Sequence, residues 1–478
     1  MSNYSTKINR YTFVLILISF CLSLIISKYN LFKYDKINEF EGKNYHQMLK
    51  HDPLRYMGHG SEIKESLSNG DNFFNTGREN YTKYLPPRLA AIFFLIFDEN
   101  IYDEKTSQIK TGIYFPYLFS QCLIYFLSIL FIFTILKKKY DQKITFFMVL
   151  FLSLEPTIFQ YHGTFWSESI FFSLQIFILG FFLKENKNIY TFFLIGLLIG
   201  LLSLQKQYAV FIFFPVIFYI LIFEINNKVL KSSFLLVGFL ILQLFLGFNN
   251  YVRSGSFYII TADMKHGAHM DLISKVMSKK MNITKDEFNI IEGEAAKDWA
   301  ISENIILIEN QNKSMDIYEF RKRVANEKDK VKLDNFLAER SINYLFDNLY
   351  DFSKFILKKS LHTTLLNPFH IYSDHKFNSG EYYYTTETHK KLLPIRVIYT
   401  SIIYILCFIG LIDLYKKKKY KEIILFVTFF LYFYGFVSWH GNTRYFVPCL
   451  IYLSIFFSFG SVKLISILQK KNSRNNII

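Results

Sequence analysis

Long runs of leucine, isoleucine and phenylalanine without a single charge, divided by short lysine clusters, constrain this 478-residue chain more than any other feature. Windows such as 113–136, 190–204 and 232–249 contain no Asp, Glu, Lys or Arg. A helix needs roughly 20 apolar residues to cross about 30 Å of hydrocarbon. A soluble enzyme would instead keep its apolar residues on one face at a 3.6- or 2-residue period, with charge on the other. With 51% hydrophobic and only 20% charged residues, a soluble cytoplasmic protein, a disordered chain and a secreted disulfide scaffold are excluded. Cys21, Cys122, Cys407 and Cys449 each fall in a different apolar run, with no paired spacing, so a buried packing role is expected for each. The net charge of +16 reads as lysine holding loops against anionic lipid, with no nucleic-acid partner.

About ten spans are expected, over 12–27, 113–136, 144–161, 166–183, 190–204, 208–225, 232–249, 394–414, 422–438 and 445–466. The first follows Lys7 and Arg10, lacks a small-residue cleavage site and reads as an uncleaved span. Counting basic residues in the short connections sets the orientation. One side collects Lys7, Arg10, Lys137 to Lys139, Lys143, Lys184, Lys187, Lys228, Lys231, Lys416 to Lys419, Lys421, Lys470, Lys471 and Arg474, eighteen in all. The other side has Lys206 and Arg444 in its short hairpins. By the positive-inside rule both termini are cytoplasmic. The apolar segment from Pro86 to Phe97 is too short to span and reads as an interfacial or re-entrant helix.

This threading divides the chain into an N-terminal membrane module (1–249), an outer-face, mainly helical domain (250–391) and a C-terminal three-helix membrane module (392–478). The first outer loop covers 28–112. The stretch from Asp316 to Asn348 is expected to be helical. The spans read as continuous, with Glu155, Glu224, Asp413 and Lys463 toward their ends, which argues against a transporter built on interrupted helices. No internal repeat is visible.

The informative polar residues lie in the outer connections. Glu41-Gly-Lys-Asn-Tyr45 and Asp52-Pro-Leu-Arg-Tyr56 each set a carboxylate four residues before a tyrosine. Tyr84-Leu-Pro-Pro-Arg88 opens the short apolar helix, with proline suited to a first turn. Tyr161-His-Gly-Thr-Phe-Trp-Ser-Glu168 and Trp439-His-Gly-Asn-Thr-Arg444-Tyr445 form tight hairpins, and Lys206 sits in another. Each has a structural alternative. Glu168 would also serve at a helix N-terminus, Arg444 and Lys206 would snorkel to headgroups, and His162 and His440 would be hydrogen-bonded loop residues, with no metal site at ligand spacing. Convergence at one end of the bundle favours the functional reading. Carboxylates beside cations suit transfer of a group from a phosphate leaving group.

In order and topology these motifs resemble the GT-C membrane glycosyltransferases, in the branch of the protein O-mannosyltransferases and the lipid A aminoarabinose transferase. The matching elements are Asp52 with Tyr56, Pro86-Pro87, Ser167-Glu168, Gly200-Leu-Leu-Ser-Leu204-Gln-Lys206, Asn250-Tyr251 with Gly255-Ser-Phe257, and Arg444-Tyr445. Two departures stand out: Lys206 where arginine is more usual, and Arg88 where an apolar residue is common. The resemblance implies an all-α polytopic membrane protein. It also implies an inverting glycosyltransferase at the outer face of a bacterial inner membrane, taking a sugar from a polyprenyl-phosphate donor to a lipid, glycan or protein hydroxyl without cofactor or metal. Asp52, or Glu41 in its place, would be the general base, and Glu168 would share that task or position substrate. Arg88, Lys206 and Arg444 would hold the donor phosphate, with Tyr56, Tyr445, His162 and His440 in the substrate site. A transporter or flippase, or a polymerase or ligase, of lipid-linked saccharides is the alternative.

Overall fold

A computed structural model describes residues 2–41, 52–71, 84–97, 114–224, 226–259, 269–307, 315–368, 386–438 and 443–475. Among these the structure is helical throughout its membrane part. The helices are α1 (Ser2–Glu41), α2 (Asp52–Ser68), α3 (Leu85–Phe97), α4 (Tyr114–Lys139), α5 (Gln142–Leu154), α6 (Pro156–Phe159), α7 (Glu168–Leu183), α8 (Ile189–Gln205), α9 (Phe213–Phe223) and α10 (Lys228–Ser254). A 3-10 turn, Gln207–Ile212, leads into α9. Beyond a π-turn, His269–Ile273, come α11 (Ser274–Lys280), α12 (Lys285–Ser302), α13 (Ile317–Arg323), α14 (Glu327–Asp347) and α15 (Leu349–Thr364). The last three are α16 (Thr386–Lys416), α17 (Tyr420–Val437) and α18 (Thr443–Asn475).

Among the described residues the expected spans fall mainly on helix. Among the described residues six helical segments are long and apolar enough to cross a membrane: Ile8–Leu31, Phe115–Lys139, Gln142–Phe159 (α5 and α6 together), Lys228–Ser254, Lys391–Lys416 and Arg444–Lys470. Leu85–Phe97, Glu168–Leu183, Ile189–Gln205 and Gln207–Phe223 are shorter apolar segments. The bundle core is aromatic, with Phe171, Phe172, Phe192, Phe426 and Phe433 all fully buried. Its outer surface stays apolar: only 28% of the apolar window of α10 is buried. Residues such as Phe214, Phe218, Ile398 and Phe408 point outward, as lipid-facing positions must. Two crossings bring backbones into contact. A Cβ on Gly196 would lie 2.1 Å from Leu235 O, and one on Gly460 would lie 1.9 Å from Leu406 O. Small residues are what permit such approach between helices in lipid.

Two expectations need correction. The window 144–161 is not one continuous helix. α5 stops at Leu154, Glu155 is extended (φ −60, ψ 117), and α6 restarts with Pro156 at its first position. The cause is Pro156, which has no N–H to offer the carbonyl one turn back. That carbonyl, Leu152 O, accepts from Tyr125 of α4, and Ser153 O accepts from Ser19 of α1 at 2.8 Å. Glu155 is 4% exposed; it caps Ile158 N at 2.8 Å and accepts from Tyr399 of α16. The stretch from Asp316 to Asn348 is likewise two helices. Val324 leaves the helix to bridge Leu307, and Asn326 caps the second, accepting from Asp329 N. Asp52 opens α2, so the acid-to-tyrosine motif is itself helical.

Candidate functional site

Three hairpins at one end of the bundle deliver one cluster. α7 begins at Glu168, which is wholly buried. α8 ends at Lys206, whose extended backbone (φ −145, ψ 115) separates it from the 3-10 turn. α18 begins one residue before Arg444. Lys206 Nζ and Arg444 Nε both reach Glu168 Oε1 at 2.7 Å. The cations are buried too, with Lys206 3% and Arg444 8% exposed. The Arg444 guanidinium stacks 3.7 Å above the Trp166 ring and lies 5.5 Å from that of Tyr445. Lys206 lies 5.3 Å from the Phe171 ring. Gln205 braces the turn by donating to Ser167 O at 2.9 Å.

Charge follows from this geometry. One buried carboxylate meets two buried cations in an aromatic surround. Ions taken out of water interact strongly and are costly to leave unmatched. Three buried polar atoms around the cluster make no hydrogen bond: Trp166 Nε1, Gln205 Oε1 and Tyr208 Oη. Tyr208 is within electrostatic range of Glu168 and Arg444. Such atoms are rare in interiors and mark places where a polar group can be received. Trp166, Gln205 and Tyr208 were not legible as site residues, because an aromatic or a glutamine at a span end is commonplace.

Arg88 of α3 is 8% exposed. It stacks 3.5 Å over Tyr84 and donates to Tyr84 O and Asn249 Oδ1, each at 3.3 Å. Tyr56 is buried on α2, whose next turn meets α3 where Gly60 faces Ala90. Asp52 opens α2 and Glu41 closes α1; their side chains, and all of His440, lie outside the described residues. His162 is buried, with Nδ1 3.0 Å from Ser169 Oγ and its ring 3.7 Å from that of Tyr125. Burial pushes its pKa down to about 3, so it brings no charge. Among the described residues no group of His, Cys, Asp and Glu is arranged to hold a metal ion.

Residues 107–248 match the model of a family described as dolichyl-phosphate-mannose-protein mannosyltransferase. That segment carries Glu168 and Lys206 but neither Asp52 nor Arg444. No curated protein matches the chain. Among solved structures, the archaeal oligosaccharyltransferase AglB from Archaeoglobus fulgidus, in complex with an inhibitory peptide and a dolichol-phosphate, aligns with TM-score 0.50 at 14% identity. The alignment covers 98% of this chain but 52% of that one, so the present chain spans about half its length. At this identity the likeness is one of fold. In sequence through its central part, and in fold over nearly its whole length, the protein resembles the GT-C membrane glycosyltransferases.

Proposed function

We propose that the protein is an inverting glycosyltransferase that moves a sugar from a polyprenyl-phosphate donor to an acceptor hydroxyl. The donor's lipid would lie between helices of a bacterial inner membrane, with transfer at the outer face. The observation that supports this best is the buried Glu168, Lys206 and Arg444 cluster. Its two cations, with the Tyr208 hydroxyl and the Trp166 indole N–H that make no hydrogen bond, suit a leaving phosphate. Arginine supplies a planar fork and lysine a point charge to phosphate oxygens. Glu168 holds both cations in place before substrate arrives, so little reorganisation is needed when charge develops.

In this reading Asp52, at the start of α2, is the general base that takes the acceptor proton, with Glu41 the other candidate. The acceptor oxygen attacks the anomeric carbon as its bond to phosphate breaks, and no covalent enzyme intermediate forms. Tyr56 and Tyr445 shape the substrate space, and Arg88 stands as a further cation near the C-terminal end of α10. His162, neutral and bonded to Ser169, would hold the hairpin. His440 belongs to the same proposal.

The test is transfer of a labelled sugar from a defined polyprenyl-phosphate donor by purified protein, with the product identified. Product formation that depends on Arg444 and Lys206 supports the reading. Donor binding without any transfer, to every acceptor class, overturns it in favour of a carrier of lipid-linked saccharide. That second reading has one observation on its side, the interrupted span with buried Glu155, since broken helices are a transporter device.

A further inference from the structure

The lysines at the opposite end of the bundle are not all alike. α7 runs from Glu168 to Leu183 over 16 residues, or roughly 24 Å at 1.5 Å per residue. At its far end the termini of α4, α7, α9 and α17 enclose a cavity of about 100 Å³, against the ~10–15 Å³ that one water requires. Lys139, Lys184, Lys187 and Lys421 line it, with Glu185 and Glu422, over a floor that includes Phe182 and Tyr219. Four lysines against two glutamates leave two positive charges. The adjoining Glu224 and Lys231, paired at 2.7 Å, add none.

A lysine tail that only attracts lipid at a distance stays in water unpaired, yet Lys139, Lys187 and Lys421 each have a partner. The Lys187 side chain is only 6% exposed; it pairs with Glu224 at 2.9 Å and donates to Phe182 O at 3.3 Å. Lys139 lies 3.5 Å from Glu422, and Lys421 lies 3.9 Å from Glu224 and donates to Phe223 O at 3.4 Å. Glu224 thus gathers Lys187, Lys231 and Lys421 from three segments, and Lys187 and Lys421 line the hollow.

We propose that this cavity is a binding site for a phosphate dianion, of the kind carried by a lipid phosphomonoester headgroup or by free phosphate. A phosphomonoester bears about −1.5 to −2 charges at neutral pH, which matches the surplus in the lining. Lysine is a suitable partner as a compact point charge. The cavity lies where membrane-crossing helices end, and basic pockets between such helices receive anionic headgroups. The inference is independent of the transfer reaction proposed above.

The experiment uses the full chain in phosphatidylcholine nanodiscs and measures melting temperature. Phosphatidic acid is titrated into one series and phosphatidylglycerol, at equal surface charge, into a second; inorganic phosphate is added to a third. A saturable rise with phosphatidic acid that exceeds the phosphatidylglycerol response is expected. Lys184→Ala and Lys421→Ala, both at exposed positions, should each weaken it about fivefold. Lys138→Ala, exposed at the same end but outside the cavity, should leave it unchanged. A saturable response to inorganic phosphate with the same variant pattern also supports the site and names free phosphate as its source. Equal responses to the two lipids, a Lys138→Ala effect as large as the others, or no response at all would overturn the proposal.

Discussion

Glu168 in the membrane bundle and Glu292 in the helices of 269–364 are both carboxylates with no exposed surface, yet they are compensated in different ways. Glu292 takes a two-pronged bond from Arg340, Nε at 2.8 Å and a terminal nitrogen at 2.7 Å, plus the Tyr344 hydroxyl at 2.7 Å. His269 Nε2 lies 2.9 Å from its other oxygen and Ser341 holds the far side of that ring. There one fork meets one carboxylate, and a phenol closes the set. At Glu168 two cations share a single oxygen, and the Arg444 contact is through Nε. The first arrangement ties α12 to α14. The second brings two cations, from the ends of α8 and α18, onto one carboxylate at the start of α7, and that convergence of three hairpins distinguishes it from a rivet between two helices.

The largest effect expected is on the base that this positive cluster would serve. Asp52→Asn should lower transfer by about 10²–10⁴-fold with melting temperature near the parent's. If Asp52→Asn is active and Glu41→Gln is dead, the base is Glu41. Next, Arg444→Ala should slow transfer about 10²–10³-fold, the usual loss when one donor to a developing charge is removed. It should cost little stability, because Glu168 keeps Lys206. Arg340→Ala should do the reverse, destabilising the fold by about 3–5 kcal/mol by stranding Glu292, with turnover per folded molecule retained. Equal behaviour of the two arginine variants would erase the distinction drawn here.

A finer probe is pH. Burial alone would raise the Glu292 pKa, but hydrogen bonds from Arg340, His269 and Tyr344 hold it at about 2, below the ordinary 4.5. A depressed pKa contributes stability that is present above the unfolded value and lost as pH falls through the folded one. The parent should therefore lose about 3 kcal/mol between pH 4.5 and 2. Glu292→Gln should remove that dependence in a melting series. The smallest effect is on labelling: a cysteine at exposed Glu303 should react with an impermeant reagent in intact cells, and one at Lys418 should not. The opposite pattern would place the Glu168 cluster on the inner face.

Much of the bundle was legible because apolar length and lysine placement are local signals. The meeting of Glu168, Lys206 and Arg444 was legible for a related reason: ionisable residues are scarce in the short outer hairpins, so few groups are available to pair. The interruption at Glu155 was hidden by the apolar run on either side, which made a Glu-Pro pair look like a span's end. The Glu292 network was hidden by distance, since Arg340 lies 48 residues away among many charges of both signs. Nothing local marks which of those charges is buried.

The break at Glu155 also bears on how the chain is made. Its carbonyls are satisfied by α1 and α4, which emerge from the ribosome early, but the carboxylate itself waits for Tyr399 on α16. Until the last third of the chain enters the bilayer, the half-built bundle carries an acid without its tyrosine partner.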